Sequence, residues 1–225
     1  MLYLVHGALG SAVQLSPLVA ALQGFDARVV ELAGHGETAL GEQPFSIDGF
    51  VAQVAQQLDT DGMESADFFG YSMGGYVALA LALAHPERVG RVVTLGTKFE
   101  WTPEGAAREA SRLDPDTIRA RVPAFADQLR ARHSGSGGWE GTLLRTAHLL
   151  TALGAAPVLG ADELARITQP VCVMVGDRDA TVSAEESARI SRLLPSGSLA
   201  VLPLTPHPFE RVDHALLATL VTRAR

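Results

Sequence analysis

Short apolar runs alternate with longer amphipathic segments along this chain, and this alternation constrains its fold more than any other feature. Six runs are predicted to be β-strands, and several lack polar alternation, as expected for strands covered by helices on both faces. The segments between them repeat apolar residues at spacings of three and four, which is typical of α-helices. This order of elements predicts an α/β fold with a mostly parallel sheet flanked by helices.

The predicted boundaries follow the ends of these patterns. Strands are expected at Leu2 to Val5, Arg28 to Glu31, Ala66 to Phe69, Val89 to Leu95, Val171 to Val175 and Ser198 to Leu202. Helices are expected at Val13 to Leu22, Ile47 to Leu58, Met73 to His85, Ala184 to Leu194 and Phe209 to Ala224. Ser46 is the expected N-cap of the second helix, and Pro86 should end the third, because the residue before a proline avoids the α conformation.

The interval from Phe99 to Arg166 interrupts this alternation. It contains several helical patterns and no convincing strand, and Ser134 to Gly138 in its middle is typical of a flexible loop. We therefore expect an α/β core formed by residues 1–98 and 167–225, with residues 99–166 inserted as a helical cap. A chain of 225 residues is long enough for one large core and needs no second globular unit.

The composition predicts a folded globule and excludes several classes of partner. Apolar residues form 47% of the chain and charged residues 19%, which is too apolar for a disordered protein. The formal net charge of −7 provides no overall positive field for nucleic acid. No basic leader or membrane-length apolar stretch is present, and the single cysteine, Cys172, cannot form an internal disulfide. We therefore expect a cytoplasmic protein with no membrane contact; the oligomeric state stays open.

The most specific motif is Gly70-Tyr71-Ser72-Met73-Gly74, between a predicted strand and a predicted helix. This is the G-x-S-x-G pattern in the strand-turn-helix context that forces a serine into an exposed, strained position. Side chains at Gly70 or Gly74 would collide with neighbouring backbone in such a turn. The motif predicts Ser72 as a nucleophile, and it matches neither the dinucleotide pattern nor the phosphate-loop lysine pattern.

A nucleophilic serine needs a base and an orienting acid, which should follow it in the order serine, acid, histidine. Gly176-Asp177-Arg178-Asp179 follows the fifth predicted strand, where open α/β sheets place their sites. Asp179 is the predicted acid, and Asp177 is the alternative; either could instead cap the turn. His207, in the loop before the last helix, is the predicted base. His214 is the other candidate, but it is expected to lie well inside that helix.

Acyl transfer also needs two donors for the oxyanion. The backbone N–H of Met73, directly after the nucleophile, is the first prediction. The second is the N–H of Ala8, in the glycine-flanked segment His6 to Ser11 after the first strand, although this segment could be a plain turn. The remaining candidate histidines are expected to be non-catalytic: His35, His85, His133 and His148.

With these residues in place, the sequence resembles the α/β-hydrolase superfamily, particularly small bacterial BioH-like carboxylesterases and MenH-like enzymes. The resemblance spans nearly the whole chain outside the cap and rests on His6-Gly7, Gly34-His35-Gly36, Gly70 to Gly75, Gly176 to Asp179 and His207. It implies a triad of Ser72, Asp179 and His207, oxyanion donors at Ala8 and Met73, and neither a metal nor an organic cofactor.

Two features depart from that family. Its members usually have a β-hairpin before the strand that leads to His6-Gly7, whereas here that strand begins at Leu2, so the sheet should lack its first antiparallel strands. Pro208 directly follows His207 and is expected to stiffen the loop without removing the imidazole.

The expected activity is hydrolysis of an ester or related acyl bond in a small-molecule acyl substrate, through an acyl-enzyme. A lyase or carbon–carbon bond hydrolase with the same triad is the first alternative, and a non-catalytic ligand-binding protein on this fold is the second. Haloalkane dehalogenation is disfavoured, because it needs a carboxylate where Ser72 stands. The pocket should lie between the sheet and the cap, with lining candidates that could equally form the cap's own core: Phe99, Trp101, Trp139 and Leu143.

The cap is rich in arginine, which would favour an anionic substrate such as an acyl carrier. The residues are Arg108, Arg112, Arg119, Arg121, Arg130 and Arg132. Interspersed acids favour ordinary solvated helix faces instead, at Glu104, Glu109, Asp114, Asp116 and Asp127.

Overall fold

The computed structural model describes residues 1–223, and within them six strands form one sheet. They are β1 (Leu2–Val5), β2 (Ala27–Val30), β3 (Ala66–Tyr71), β4 (Val89–Leu95), β5 (Val171–Gly176) and β6 (Gly197–Leu202). Their order is β2-β1-β3-β4-β5-β6, and every neighbouring pair is parallel. The prediction of an α/β fold with a mostly parallel sheet is confirmed.

Ten helices accompany the sheet in the described part of the chain. Those expected from the sequence are α1 (Ala12–Ala21), α2 (Ile47–Thr60), α3 (Met73–Ala84), α9 (Ala184–Leu193) and α10 (His214–Arg223). The interval between β4 and β5 contains α4 (Pro103–Ala110), α5 (Pro115–Arg121), α6 (Pro123–Arg132), α7 (Trp139–Ala155) and α8 (Ala161–Ala165). None of the described helices has the length and apolar character to cross a membrane.

Local signals explain several helix ends. Ser46 caps α2 as predicted, because its hydroxyl accepts a hydrogen bond from the Gly49 N–H at 3.0 Å. Helix α3 ends at Ala84, one residue earlier than predicted, and Pro86 then opens a short 3-10 turn.

The start of the C-terminal helix was predicted wrongly. The expected helix from Phe209 begins instead with a 3-10 turn, Phe209–Arg211, and α10 starts at His214. The Asp213 carboxylate accepts the N–H groups of Ala215 and Leu216, both at 3.0 Å, and this cap fixes the start. His214 is therefore the first residue of the helix rather than an interior one. The predicted end at Ala224 lies outside the described residues.

Alternate residues of β1 divide the interior into two apolar layers. Tyr3 and Val5 belong to the layer that packs the sheet against α2 and α3, and Leu2 and Leu4 belong to the layer against α1 and α10. Ten of the twelve residues of α3 are buried, so this helix is enclosed by the sheet, α2 and the segment after β4. Burial of this helix holds its N-terminus firmly at the carboxyl edge of the sheet.

The interval 99–166 is helical and contains no strand in the structure, and we propose it as the cap. Five of its residues form a separate small core: Ile118, Ala126, Leu129, Trp139 and Leu143. The Ser134 to Gly138 loop, which the sequence predicted to be a flexible connection, is held in place. The Ser134 hydroxyl donates to Glu37 Oε1 at 2.8 Å, and the Ser136 carbonyl accepts the Leu40 N–H at 2.9 Å.

Candidate active site

Ser72 lies in the sharp turn between β3 and α3. Its backbone has φ 52° and ψ −119°, a conformation that costs a residue with a side chain about 1–3 kcal/mol. The turn depends on glycine: a Cβ on Gly70 would lie 2.3 Å from the backbone of Gly75, and one on Gly74 would lie 2.1 Å from the Val5 carbonyl oxygen. These are the collisions that the sequence predicted. Ser72 itself stays partly exposed and lines a cavity.

The two predicted oxyanion donors line the same cavity as Ser72. Within residues 1–223, neither the Ala8 N–H nor the Met73 N–H donates a hydrogen bond to another group. Met73 is the first residue of α3, where the backbone N–H groups have no partner inside the helix and the helix dipole is positive. The site therefore offers two unused donors and a partial positive charge beside the serine.

The loop that contains Ala8 is held by the cap. Leu9 has a positive φ of 57°, and its carbonyl oxygen accepts hydrogen bonds from Arg132 Nη1 at 2.9 Å and from His133 Nε2 at 3.2 Å. The Gly10 N–H closes the turn on the Gly7 carbonyl at 3.0 Å. Arg132 is the last residue of α6, and His133 follows it. The cap therefore fixes the backbone next to Ala8, one of the two predicted oxyanion donors. Sequence reasoning missed both roles, since neither residue stands near the motif in the chain.

The His6 side chain links the loop that contains Ala8 to the segment after β2. Its Nδ1 donates to the Gly7 carbonyl at 2.8 Å, and its Nε2 accepts the Leu32 N–H at 3.0 Å. Complete burial lowers the pKa of His6 from 6.5 to about 4, so the ring is neutral and can accept that N–H. The His35 ring lies 5.0 Å from the His6 ring, and the His133 ring lies 5.7 Å from that of His35; burial lowers the pKa of both His35 and His133. None of the three lines the cavity that contains Ser72, and the non-catalytic roles of His35 and His133 stay a prediction.

The structure brings Asp179 and His207 together. His207 Nδ1 lies 2.7 Å from Asp179 Oδ2, and the Asp179 side chain is only 3% exposed. Asp179 Oδ1 accepts the N–H groups of Thr181 and Val182 at 2.8 and 2.9 Å. An ionised carboxylate can only accept, so the proton of this pair lies on Nδ1. His207 Nε2 is then the nitrogen with a free lone pair.

The alternative candidates lie outside this pair. Asp177 is exposed, and its carboxylate accepts the Thr205 N–H at 3.1 Å, which holds the turn. His214 Nε2 lies 3.2 Å from the Phe209 carbonyl at the start of α10. His85 and His148 do not line the cavity that contains Ser72.

Residues at the ends of two neighbouring strands adjoin the His207 loop. The Tyr71 hydroxyl, at the end of β3, donates to the His207 carbonyl at 2.8 Å, and the Tyr71 and His207 rings lie 5.5 Å apart. Gly96, directly after β4, has φ +61°, and a Cβ there would lie 3.0 Å from Asp179 Oδ2 and 3.2 Å from His207 Nδ1. Glycine at this position leaves room for the acid and the base to meet.

A cavity of about 120 Å³ lies beside Ser72. Most of its wall is apolar, formed by Ala8, Ile47, Met73, Tyr76, Trp101, Leu150 and Leu153. Its polar wall consists of Ser72, Lys98, Glu109 and Thr181. Such a cavity suits a short apolar acyl or alcohol group with few polar contacts.

Only one of the four predicted lining residues, Trp101, lines this cavity. Phe99 packs against Tyr76, with ring centroids 6.0 Å apart, and is buried in the main core. Trp139 and Leu143 belong to the cap's own core, the alternative that the sequence left open.

Four of the cap arginines considered in the sequence analysis pair with nearby acids. Arg112 pairs with Glu109, Arg119 with Asp116 and Glu140, Arg130 with Asp127, and Arg132 with Glu210. This pairing favours solvated helix faces over a site for an anion. No group of three or more histidine, cysteine or acidic side chains within residues 1–223 could hold a metal ion.

Comparison with known proteins found one matching family model and several similar enzymes. Residues 1–136 match the family described as the alpha/beta hydrolase fold. The chain is 31% identical to a pimeloyl-[acyl-carrier protein] methyl ester esterase of Neisseria meningitidis serogroup C, over 95% of this chain and 88% of that protein. It is 27% identical to a Bacillus subtilis (strain 168) protein with the provisional name 2-succinyl-6-hydroxy-2,4-cyclohexadiene-1-carboxylate synthase, over 88% of this chain and 80% of that protein.

A solved structure, a thermophilic esterase from Thermogutta terrifontis, has the same fold with a TM-score of 0.78 and 19% identity. The similarity covers 98% of this chain and 87% of that one.

Proposed function

The chain belongs to the α/β-hydrolase family of enzymes, and on this basis we propose that it is a serine esterase that cleaves a small carboxylic ester through Ser72, His207 and Asp179. One observation carries the proposal: His207 Nδ1 bonds a buried carboxylate at 2.7 Å, at the same sheet edge where a strained serine begins a helix. Structural histidines need no such carboxylate, whereas a general base does.

In the first step, His207 Nε2 takes the hydroxyl proton of Ser72 while Oγ attacks the acyl carbonyl carbon. Asp179 keeps the proton on Nδ1 and stabilises the imidazolium that forms. Within residues 1–223, Ser72 Oγ forms no hydrogen bond, and we expect its bond to His207 to close when substrate binds, as in many free enzymes.

The tetrahedral oxyanion then receives hydrogen bonds from the N–H groups of Ala8 and Met73, and the positive end of α3 adds to its stabilisation. Collapse of this intermediate expels the alcohol, which takes the proton from His207 and leaves an acyl-Ser72. A water molecule attacks the acyl group after losing a proton to His207. Release of the carboxylic acid returns the proton to Ser72 Oγ.

The proposed substrate class is a small alkyl ester. The Neisseria relative is named as a methyl ester esterase, and the cavity of about 120 Å³ suits a short group next to the scissile bond. We extend the methyl ester, but not the acyl-carrier protein, to this chain, because four of the six cap arginines considered in the sequence analysis already pair with acids. A cytoplasmic location stays a prediction from the sequence.

Labelling with a fluorophosphonate tests the nucleophile. Peptide mapping should find one adduct, on Ser72, and the adduct should be missing in Ser72→Ala and His207→Ala. Turnover of a panel of short alkyl esters should be lost in the same variants. Folded wild-type protein that forms no adduct and hydrolyses no ester would refute the proposal and favour a non-catalytic ligand-binding protein.

A second candidate is a lyase or carbon–carbon bond hydrolase that uses the same three residues. The similarity to the Bacillus protein supports it. The two candidates differ in one result: an adduct on Ser72 together with negligible turnover of every ester would favour the second candidate.

A further inference from the structure

Lys98 is the only lysine of this chain, and it lines the cavity next to Ser72. The other basic side chains, apart from histidine, are all arginines, and no arginine among residues 1–223 lines this cavity. A primary ammonium is thus placed within a mainly apolar wall, beside the predicted nucleophile.

Within residues 1–223 the Lys98 ammonium forms no salt bridge. The Glu100 carboxylate interacts with it electrostatically, but both oxygens of Glu100 bind the Arg189 guanidinium, at 2.8 and 2.9 Å. The one specific contact of the ammonium is with the Trp101 ring, whose centroid lies 5.6 Å from Nζ. In the described part of the chain, Glu109 is the only acid that lines the cavity, and its carboxylate accepts a hydrogen bond from Arg112 at 3.0 Å. The Lys98 ammonium therefore has no carboxylate hydrogen-bonded to it, and an anion that displaced water from it would gain a charge-assisted hydrogen bond.

The backbone on both sides of Lys98 is anchored. The Thr97 hydroxyl donates to the Ser72 carbonyl at 2.9 Å, so the residue before Lys98 is tied to the nucleophile turn. The N–H groups of Phe99 and Glu100 both donate to the buried Glu186 carboxylate, at 2.8 and 3.0 Å. These bonds fix where the lysine side chain starts relative to Ser72, which reduces the ordering cost of binding.

We propose that Lys98 binds a carboxylate of the substrate, so that the preferred substrates are short esters with a negative charge in the acyl or the alcohol part. This inference rests on the ester hydrolysis proposed for Ser72 and names its substrate class. Lysine acts here as a compact point charge that recognises a carboxylate without the two-point geometry that arginine requires.

Paired esters of nearly equal shape test this selectivity. Methyl hydrogen succinate carries the charge in the acyl part, and methyl 4-oxopentanoate is its neutral counterpart. Acetoxyacetate carries the charge in the alcohol part, and acetoxyacetone is its neutral counterpart. Wild-type enzyme should show a higher kcat/KM for the charged member of at least one pair, and the pair that responds identifies the part that faces Lys98.

Substitution of the lysine should remove this preference. In Lys98→Met, the ratio of charged to neutral kcat/KM should fall about 10- to 100-fold, as expected for losing one charge-assisted hydrogen bond. Lys98→Arg keeps the charge and should retain part of the preference. Arg130→Met is the matched control, because it removes one positive charge from a surface pair with Asp127, and its ratio should equal that of the wild type.

The single lysine also allows binding to be measured without catalysis. Reductive ¹³C-methylation labels Lys98 and the α-amino group only, and the resonance absent from labelled Lys98→Met identifies the side chain. Addition of succinate should shift that resonance in a saturable manner. Equal kcat/KM within both ester pairs, with no succinate-dependent shift, would refute the inference while the esterase proposal stands. Loss of Ser72 labelling and of all ester turnover would instead refute the proposed function.

Discussion

Replacement of Asp179 by asparagine should prevent His207 from acting as the general base, while the fold stays intact. Asp179 Oδ1 accepts two backbone N–H groups, from Thr181 and Val182, and only the carbonyl oxygen of an asparagine can take over that role. The amide NH₂ must then face His207 Nδ1, which is 2.7 Å from Oδ2. Since two donors cannot share a hydrogen bond, Nδ1 becomes the acceptor and the proton moves to Nε2.

A histidine protonated at Nε2 cannot accept the proton of Ser72. The expected loss in kcat is about 10³- to 10⁴-fold, the size associated with the wrong tautomer in such triads, or roughly 4–5 kcal/mol of transition-state stabilisation. The thermal midpoint should change little, because the two backbone hydrogen bonds to Oδ1 persist.

Ester hydrolysis and the rate of fluorophosphonate labelling measure the effect. Asp177→Asn is the matched control: Asp177 is exposed and accepts the Thr205 N–H, a bond that an asparagine carbonyl preserves. This control should retain activity within about threefold, since no proton-transfer group changes. The reasoning is wrong if Asp179→Asn keeps more than about a tenth of wild-type kcat, or if Asp177→Asn loses as much activity as Asp179→Asn.

Three further predictions follow from the surroundings of the site. Arg132→Gln should lower kcat about tenfold by releasing the Leu9 carbonyl beside one predicted oxyanion donor, while the surface variant Arg130→Gln should not; equal rates for both would contradict this role. Gly96→Ala should lower kcat at least 100-fold, because its Cβ would intrude on the acid–base pair, and cost about 1–2 kcal/mol in urea unfolding through its positive φ. Burial lowers the pKa of His6 from 6.5 to about 4, so the neutral ring stabilises the folded state above pH 6.5. The free energy of unfolding, measured by urea titration, should therefore fall by about 3 kcal/mol as the pH is lowered from 6.5 towards 4. A free energy of unfolding that does not change over this range would contradict the prediction.

Local patterns in the sequence were sufficient to predict most of the strands and helices of the α/β core. The strands could be predicted because runs such as Val171–Gly176 are buried on both faces and contain no polar residue. The helices they alternate with bury one face or, in α3, nearly all faces. The start of α10 was predicted wrongly because the apolar spacing continues upstream of Asp213, and the spacing alone does not reveal which acid caps a helix.

The candidate triad was proposed from the sequence, because its members stand in a recognisable order: Ser72 between β3 and α3, Asp179 three residues after β5, and His207 in the loop between β6 and α10. The choice between Asp179 and Asp177 rested on weaker grounds, since both lie on one loop. Their surroundings differ in the structure: the Asp179 carboxylate is buried beside His207, whereas the Asp177 carboxylate is exposed and holds a turn.

By itself, the sequence determined the parallel α/β framework, the strained Ser72 turn and the candidates for acid and base, because backbone sterics and burial periodicity act over a few neighbouring residues. Only the tertiary structure decided which cap residues hold the loop around Ala8. It also decided that Lys98 and Trp101, but not Trp139, line the cavity next to Ser72. These contacts join residues separated by tens to more than a hundred positions. Their geometry depends on how the cap packs on the sheet, which no local pattern encodes.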